Sequence, residues 1–172
     1  MSIRAVAFDL GNTLVEYYHM RDFPSILDEV IACSYNALPA SPTVTPWEAR
    51  RAADDESAEQ SNWQVTPLFE RLTRVFGLTE GSDPSIENRC CREFLKPIFQ
   101  RARLYPETRS TLARLRANGY RLAIVSNTPW GSPGELWRDE LGRLGLSETV
   151  DASIFARMLV GENQLLQYLM RR

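Results

Sequence analysis

Two short polar stretches have residue types that could do chemistry, and each directly follows an apolar run. Asp9-Leu10-Gly11-Asn12-Thr13 follows the run from Ile3 to Phe8, and Ser126-Asn127-Thr128 follows the run from Leu122 to Val125. A positioned carboxylate can act as a nucleophile, and a hydroxyl opposite it can hold the anion under attack. Backbone N–H groups in such turns can complete a cradle for phosphate. The two stretches therefore predict a nucleophile that faces an anion-holding group.

The same residues have a purely structural interpretation. Asp9 and Thr13 can build a local turn by bonding to nearby backbone, and Ser126 can cap the segment that follows it. Either stretch alone fits this interpretation as well as the functional one. Both stretches end neighbouring predicted strands, and a long helical insertion separates them in the chain. This combination favours function.

Three apolar runs predict the strands that position these residues: IRAVAF from residue 3, YRLAIVS from residue 120 and TVDASIFA from residue 149. YRLAIVS is apolar enough to be buried on both faces. Helical patterns separate the last two strands and precede the second. One is opened by Tyr105-Pro106-Glu107, and the other by a predicted capping box at Ser132-Pro133-Gly134-Glu135. Alternating strands and helices are typical of a parallel sheet with ligands at the carboxyl ends of its strands.

Residues 16–103 show only helical patterns, and no strand is predicted there. The helix signals are an apolar stripe over 22–38, a capping box at Thr45-Pro46-Trp47-Glu48, and the starts Thr66-Pro67 and Asp83-Pro84. We therefore predict an α/β fold: a Rossmann-like parallel sheet core formed by residues 1–15 plus 104–172, with a helical cap inserted over 16–103.

Composition narrows the class of protein. The 172 residues carry a net charge of −2, so no basic field favours nucleic acid or an anionic membrane as a partner. No apolar run approaches the ~18 residues that span a bilayer, and the first residues lead straight into a strand pattern. Cys33, Cys90 and Cys91 are predicted to be buried or reduced thiols. We expect a cytoplasmic protein, with its oligomeric state open.

These motifs resemble the haloacid dehalogenase-like hydrolase superfamily, in the type whose helical cap follows the first strand. The first motif there is an apolar strand followed by Asp-x-Asp-x-Thr, and the second is a strand ending in Ser or Thr. The resemblance covers about residues 1–157. It implies that Asp9 is the nucleophile that forms an aspartyl-phosphate and that Thr13, Ser126 and Asn127 hold the phosphate. It also implies Mg²⁺ on Asp9 and the Gly11 carbonyl, with a small phosphorylated molecule as substrate.

Gly11 departs from the family pattern. The acid usually found there protonates the leaving oxygen and then activates water, and such proton transfers are worth about 10²–10⁴-fold. Three interpretations stay open. A phosphatase can take its proton from water, a substrate group or a cap residue. A dehalogenase-type enzyme releases halide unprotonated and needs no Mg²⁺. Finally, the site can be inert.

The family's later motifs, a Lys-Pro and an acidic pair, are not found after Ser126. Lys96-Pro97 mimics the first of them but lies in the helical block, where we predict a helix-surface residue. Codons chosen for Arg157–Arg172 can be read in a shifted frame as Asp-Val-Gly-Trp-Arg-Lys-Pro-Ala-Pro-Pro-Ile-Phe-Asp-Glu-Glu, which contains the Lys-Pro. We therefore expect that one base was lost near codon 157, leaving a C-terminally truncated chain with an out-of-frame tail at 158–172.

Aromatic side chains and the single histidine allow two interpretations each. Trp130 and Trp137 follow the second motif, where they either line a substrate pocket or pack the loop. Tyr17 and Tyr18 lie where the chain leaves the core, so hinge packing is expected of them. His19 is close enough in sequence to Asp9 to supply a proton, but a hinge or surface role is favoured.

Overall fold

The computed structural model describes residues 4–38, 42, 44–55, 66–78 and 83–156. The tail at 158–172, and with it the predicted change of frame, lies outside these residues. In chain order the elements are β1 Ala5–Phe8, β2 Val15–Glu16, α1 Phe23–Asn36, α2 Pro46–Asp55, α3 Leu68–Phe76, α4 Pro84–Arg101, β3 Arg103–Leu104, α5 Thr108–Ala117, β4 Arg121–Asn127, α6 Gly134–Arg143 and β5 Ala152–Ala156. Short 3₁₀ turns cover Met20–Asp22 and Pro129–Gly131.

The main sheet has the order β1-β4-β5, and both of its pairings are parallel. This confirms the predicted α/β fold with a parallel sheet. Phe8 is paired with Ile124, so the chain leaves β1 beside the last residues of β4. The carboxyl ends of β1 and β4 therefore meet at one edge of the sheet, where open α/β folds bind their ligands.

Burial along β4 follows the alternation of a strand. Leu122 and Ile124 are buried, whereas Ala123 and Val125 are only partly covered. The prediction that this strand is buried on both faces is therefore wrong for the described part of the chain. Its apolar composition alone does not distinguish one covered face from two, because neighbouring elements decide that.

A two-stranded antiparallel ribbon, β2 with β3, was not predicted. Val15 is paired with Leu104, and Glu16 with Arg103. Glu16 and Arg103 lie inside residues 16–103, where no strand was predicted. That prediction is therefore wrong at both ends of the segment. Strands of two residues are too short to show a period, and each forms only because its distant partner lies beside it. The ribbon joins the chain where it leaves the sheet and where it returns.

The α-helices described between β2 and β3 pack mainly through α1 and α4. The buried residues of these two helices include Ile26, Leu27, Val30, Ile31, Cys90, Cys91, Phe94 and Leu95. None of the three cysteines, all in the described part of the chain, forms a disulfide, and Cys90 and Cys91 are buried, which agrees with the prediction of buried or reduced thiols. None of the described helices has the length and apolar character required to cross a membrane. The division into core and cap at 15/16 and 103/104 stays a prediction.

Two helices begin at the capping residues that the sequence predicts, because the side chains of those residues are available to make the capping hydrogen bonds. Thr45 and Glu48 form the predicted capping box, in which the Thr45 N–H donates to Glu48 Oε2 at 2.7 Å. These hydrogen bonds lower the pKa of Glu48. Asp83 caps α4 by accepting from the Ser85 N–H at 2.8 Å. The capping box predicted at Ser132 is wrong. Pro133 is the N-cap of α6, and no side chain in the described part of the chain makes a capping hydrogen bond at this helix start.

Candidate active site

The structure brings Asp9 and Ser126 together, although 117 residues separate them in the chain. The Ser126 hydroxyl donates a hydrogen bond of 2.7 Å to Asp9 Oδ1. Asp9 lies exposed just beyond β1, and Ser126 is the last residue but one of β4. Because β1 and β4 are parallel neighbours, their carboxyl ends place the carboxylate and the hydroxyl at the same sheet edge.

The loop after Asp9 is organised around the carbonyl of Leu10. That oxygen accepts from the N–H groups of Leu14 at 2.9 Å and Val15 at 3.1 Å, and more distantly from Thr13 at 3.4 Å. Asn12 has a φ of +56°, a left-handed conformation that Asn tolerates better than most residues. The Thr13 side chain is exposed and does not line the cavity that contains Asp9. Thr13 therefore contributes to the turn through its backbone.

The loop after Ser126 is anchored to β5 and α6. The Thr128 N–H donates to the carbonyl of Ala156 at 3.1 Å. The Ser132 hydroxyl donates to the Pro129 carbonyl at 2.7 Å and accepts from Trp137 Nε1 at 2.9 Å. These bonds occupy the hydroxyl that was predicted to cap α6, which is why the capping box does not form.

Helices α3 and α4 press on this same loop through Trp130. The Arg71 guanidinium lies 4.0 Å from the Trp130 ring centroid, and the Phe94 ring lies 5.3 Å from it. Arg71 is fully buried, so its contact with the ring is shielded from water. Cation–π contacts are strongest when they are shielded in this way. Trp130 itself has a φ of +58°, which is unfavourable for a bulky residue and is maintained by these contacts. Trp130 thus packs the loop and does not line the Asp9 cavity.

We expect Gly131→Ala to destabilise the protein by about 2–4 kcal/mol, because strain and a backbone clash add together. Gly131 has a φ of +65°, and a Cβ there would lie 2.3 Å from the Thr66 carbonyl oxygen. Gly119 is a matched control: its φ is +82°, but no atom of the described residues lies within 4 Å of an added Cβ. Gly119→Ala should lose only about 1 kcal/mol. Urea denaturation measures both, and equal losses would contradict the close approach at Thr66.

A cavity of about 340 Å³ opens beside Asp9. It is lined by Asp9, Gly11, Asn12, Tyr17, Tyr18, Ile98, Ser126, Asn127, Pro129 and Trp137. The sequence predicted the polar site residues of the two loops except Asn12. It did not decide whether Trp137 lines a pocket or packs the loop, and the structure shows that Trp137 lines the cavity. Ile98 was missed, because nothing in α4 distinguishes the one apolar residue that reaches the site from those that form the core.

Tyr17 forms part of the wall nearest to Gly11. The residue is 7% exposed, and its hydroxyl has no hydrogen-bond partner in the described part of the chain. Burial raises the pKa of Tyr17 well above its usual range. The charges of Glu140 and Asp9 add to the rise, and Arg143 opposes it. Tyr17 is therefore a neutral phenol, whose ring is fixed edge-on to Trp137 at 5.5 Å between centroids.

His19 and Lys96 lie away from this cavity. His19 Nε2 is 3.4 Å from Glu16 Oε1, and its side chain is largely exposed. Lys96 lies on the surface of α4, as predicted, with its Nζ 2.9 Å from Glu93 Oε2. Neither residue lines the cavity that contains Asp9.

The donors beside Asp9 are oxygen atoms, which are the ligands that Mg²⁺ prefers. Mg²⁺ is usually bound by one or two carboxylates and keeps several waters, with substrate phosphate completing its shell. Asp9 and Gly11 line the same cavity and offer a carboxylate and a backbone carbonyl. The described residues contain no cluster of three or more His, Cys, Asp or Glu side chains able to bind a metal. The donor set fits Mg²⁺ held by few protein ligands, and fits metals that prefer His or Cys poorly.

Comparison with known proteins identifies the class. A family model described as haloacid dehalogenase-like hydrolase matches residues 3–171. The match spans almost the whole sequence, so this chain belongs to the haloacid dehalogenase-like hydrolase family and is a hydrolase. The comparison with curated proteins gave no match.

Solved structures show the same fold. A haloacid dehalogenase-like phosphatase from Thermococcus onnurineus is 23% identical with a TM-score of 0.55, over 96% of this chain and 69% of that one. A predicted phosphoglycolate phosphatase from Haemophilus somnus 129pt is 19% identical with a TM-score of 0.50, over 97% of this chain and 70% of that one. At these identities the similarity concerns the fold alone.

Proposed function

We propose that this protein is a Mg²⁺-dependent phosphatase that hydrolyses small phosphate monoesters through an aspartyl-phosphate on Asp9. The observation that carries the proposal is the 2.7 Å hydrogen bond from Ser126 to Asp9 at the mouth of a cavity. A hydroxyl that reaches one oxygen of the carboxylate can also reach a phosphoryl oxygen bound beside it. The geometry therefore supports a nucleophile with an adjacent anion holder.

In the proposed reaction the chain's own residues act in two steps. The Asp9 carboxylate attacks phosphorus as the bond from phosphorus to the ester oxygen breaks, and that oxygen leaves and takes a proton from water. A second water then hydrolyses the acyl phosphate, which releases inorganic phosphate and restores the Asp9 carboxylate. Ser126 and Asn127 hold the phosphoryl oxygens with hydrogen bonds that position the group for attack. When bound by Asp9 and the Gly11 carbonyl, Mg²⁺ would neutralise charge on the phosphoryl group.

The residues around the cavity also support a cap. Tyr18 follows β2, and Ile98 lies on α4, so the helical block contributes to the same cavity as the loops of the sheet. We propose that residues 16–103 act as the cap over residues 1–15 plus 104–172. A substrate bound at Asp9 would then contact both parts.

Chelation separates this proposal from its alternative. We expect EDTA to lower phosphate release by about 10²-fold or more and added Mg²⁺ to restore it, because the metal stabilises charge in the transition state. Phosphate and halide release are measured in parallel, with a phosphate monoester and a 2-haloacid as substrates. Halide release that persists in EDTA, without phosphate release, would favour carbon–halogen hydrolysis. Release of neither product would favour an inert site.

A further inference from the structure

We infer that the Asp9 site prefers phosphate esters of phenols to those of alkanols; the inference rests on the phosphatase function proposed above. Two independent features point to this preference. One is the group of ring and aliphatic side chains that lines the cavity, and the other is the absence of an acidic side chain at Gly11. The first concerns binding of the leaving group, and the second concerns its departure.

The lining of the cavity comes from two kinds of segment. Asp9, Asn12, Ser126 and Asn127 come from the two polar loops at the sheet edge. The other side chains are apolar or aromatic: Tyr17, Tyr18, Ile98, Pro129 and Trp137. A phosphate bound by the loops leaves its ester group to contact this second set. A volume of about 340 Å³ suits a small ligand, so one ring beside a phosphate fits.

The aromatic part of the lining is rigid before a ligand arrives. Trp137 is 3% exposed, and its Nε1 donates to the Ser132 hydroxyl at 2.9 Å. Its ring is T-shaped to Phe99 at 5.0 Å and to Tyr17 at 5.5 Å between centroids. The rings of Trp137 and Tyr17 are nearly buried and fix the wall, whereas Tyr18 in the same lining is only partly buried and offers the accessible ring. A preformed aromatic lining of this kind can contact another ring with little ordering required on binding. A planar phenyl group gains more from such a surface than a flexible alkyl chain does.

Charge agrees with an uncharged leaving group. None of the described residues that line the cavity is a Lys, Arg or His. Asp9 is the one carboxylate among them. A second anionic group, beyond the phosphate that the proposed Mg²⁺ would neutralise, would therefore find no basic side chain among the described lining residues, which is unfavourable in a partly enclosed site.

The space at Gly11 bears on the departure of the leaving group. A Cβ added to Gly11 would have Tyr17 Cδ2 as its nearest contact in the described part of the chain, at 3.9 Å, so the backbone leaves room for a side chain to begin there, but glycine has none. Without an acid there, the ester oxygen must leave with little help from a proton. A phenol has a pKa of about 10 and water one of about 15.7, and alkanols resemble water. Phenolates are therefore far better leaving groups in this site than alkoxides.

Three esters separate the two features in one kinetic experiment. Phenyl phosphate has a ring and an acidic leaving group, benzyl phosphate has a ring and an alkanol leaving group, and butyl phosphate has neither. We expect kcat/KM to fall by about 10²-fold or more from phenyl to benzyl, the range general acids usually recover. We expect a further fall of about tenfold from benzyl to butyl, the size of an aromatic contact.

Binding tests the ring contact without any turnover. Phenylphosphonate and butylphosphonate cannot be hydrolysed, and calorimetry gives the Kd of each. We expect phenylphosphonate to bind about tenfold more tightly. Tyr18→Leu should remove most of this difference, because Tyr18 is part of the lining, whereas Tyr18→Phe should keep it. Trp47→Ala is the control, because Trp47 is an exposed aromatic residue on α2 outside the cavity.

The outcomes distinguish this inference from the proposal beneath it. Benzyl or butyl phosphate hydrolysed as fast as phenyl phosphate, with turnover still dependent on Asp9, would overturn the inference and leave the phosphatase function standing. Equal Kd values for the two phosphonates would overturn the ring contact. No Asp9-dependent turnover of any ester would overturn the phosphatase function, and the inference with it.

Discussion

Asp9→Asn is expected to lower phosphate release by about 10⁴-fold or more, the scale of losing a nucleophile. The amide of Asn is a far weaker nucleophile than a carboxylate and cannot form the same acyl phosphate. The two side chains have nearly the same shape, and Ser126 can still donate to the Asn carbonyl oxygen as it does to Asp9 Oδ1. The loss should therefore come from chemistry and not from folding.

Steady-state phosphate release measures this effect, and an unchanged melting temperature shows that the fold is intact. Labelled phosphate from the substrate should be trapped on the native protein by acid quench and should be missing from Asp9→Asn. Asp139→Asn is a suitable control, since Asp139 is an exposed acid on α6 that pairs with Arg92 outside the cavity. A variant at Asp9 that retains full turnover would move the nucleophile elsewhere and refute the proposed mechanism.

Gly11→Asp is expected to raise kcat/KM for alkyl esters by about 10²-fold, within the range usual for general acid–base catalysis. The backbone of Gly11 is not in the left-handed region, and an added Cβ meets only an ordinary contact with Tyr17. The first atom of the new side chain therefore meets no clash, and because Gly11 lines the cavity we expect the carboxyl to reach the leaving oxygen and protonate it. Phenyl esters should gain much less, because their leaving group needs little protonation.

Gly11→Asn is the matched control, since it has the same size and shape but no acidic proton. Rates of phenyl and butyl phosphate hydrolysis for the native chain and both variants give the comparison. The expected pattern is a selective gain for butyl phosphate in Gly11→Asp alone. Equal gains in both variants would show that the side chain acts by filling space. No gain in either variant would show that proton supply does not limit the native chain.

Local sequence signals predicted most elements because their causes are local. Asp83 before Pro84 starts α4, and the pair of Thr45 with Glu48 starts α2, since each bond joins residues at most three apart. The three sheet strands were found from their apolar composition. These features depend on neighbours in the chain, which a sequence displays directly.

Predictions went wrong where a distant partner competes for the same group. Ser132 has the sequence of a capping residue, but Trp137 and the Pro129 carbonyl take its hydroxyl. The β2–β3 ribbon exists because residues about 90 positions apart meet, and two residues per strand leave no pattern to read. In each case the tertiary environment overrode a local preference or created structure where none was indicated.

The sequence by itself determined which residue types end the strands: a carboxylate at Asp9, a hydroxyl at Ser126, and no side chain at Gly11 to move a proton. Only the tertiary structure decided that the first two meet at 2.7 Å, because that contact follows from the parallel register that pairs Phe8 with Ile124. It likewise decided that Tyr17, Ile98 and Trp137 line the same cavity. Tyr17 follows β2, and Ile98 and Trp137 lie on α4 and α6. In the sequence, an apolar residue at such a position looks the same whether it faces the core or a ligand. Only the packing of the elements against one another decides which it faces.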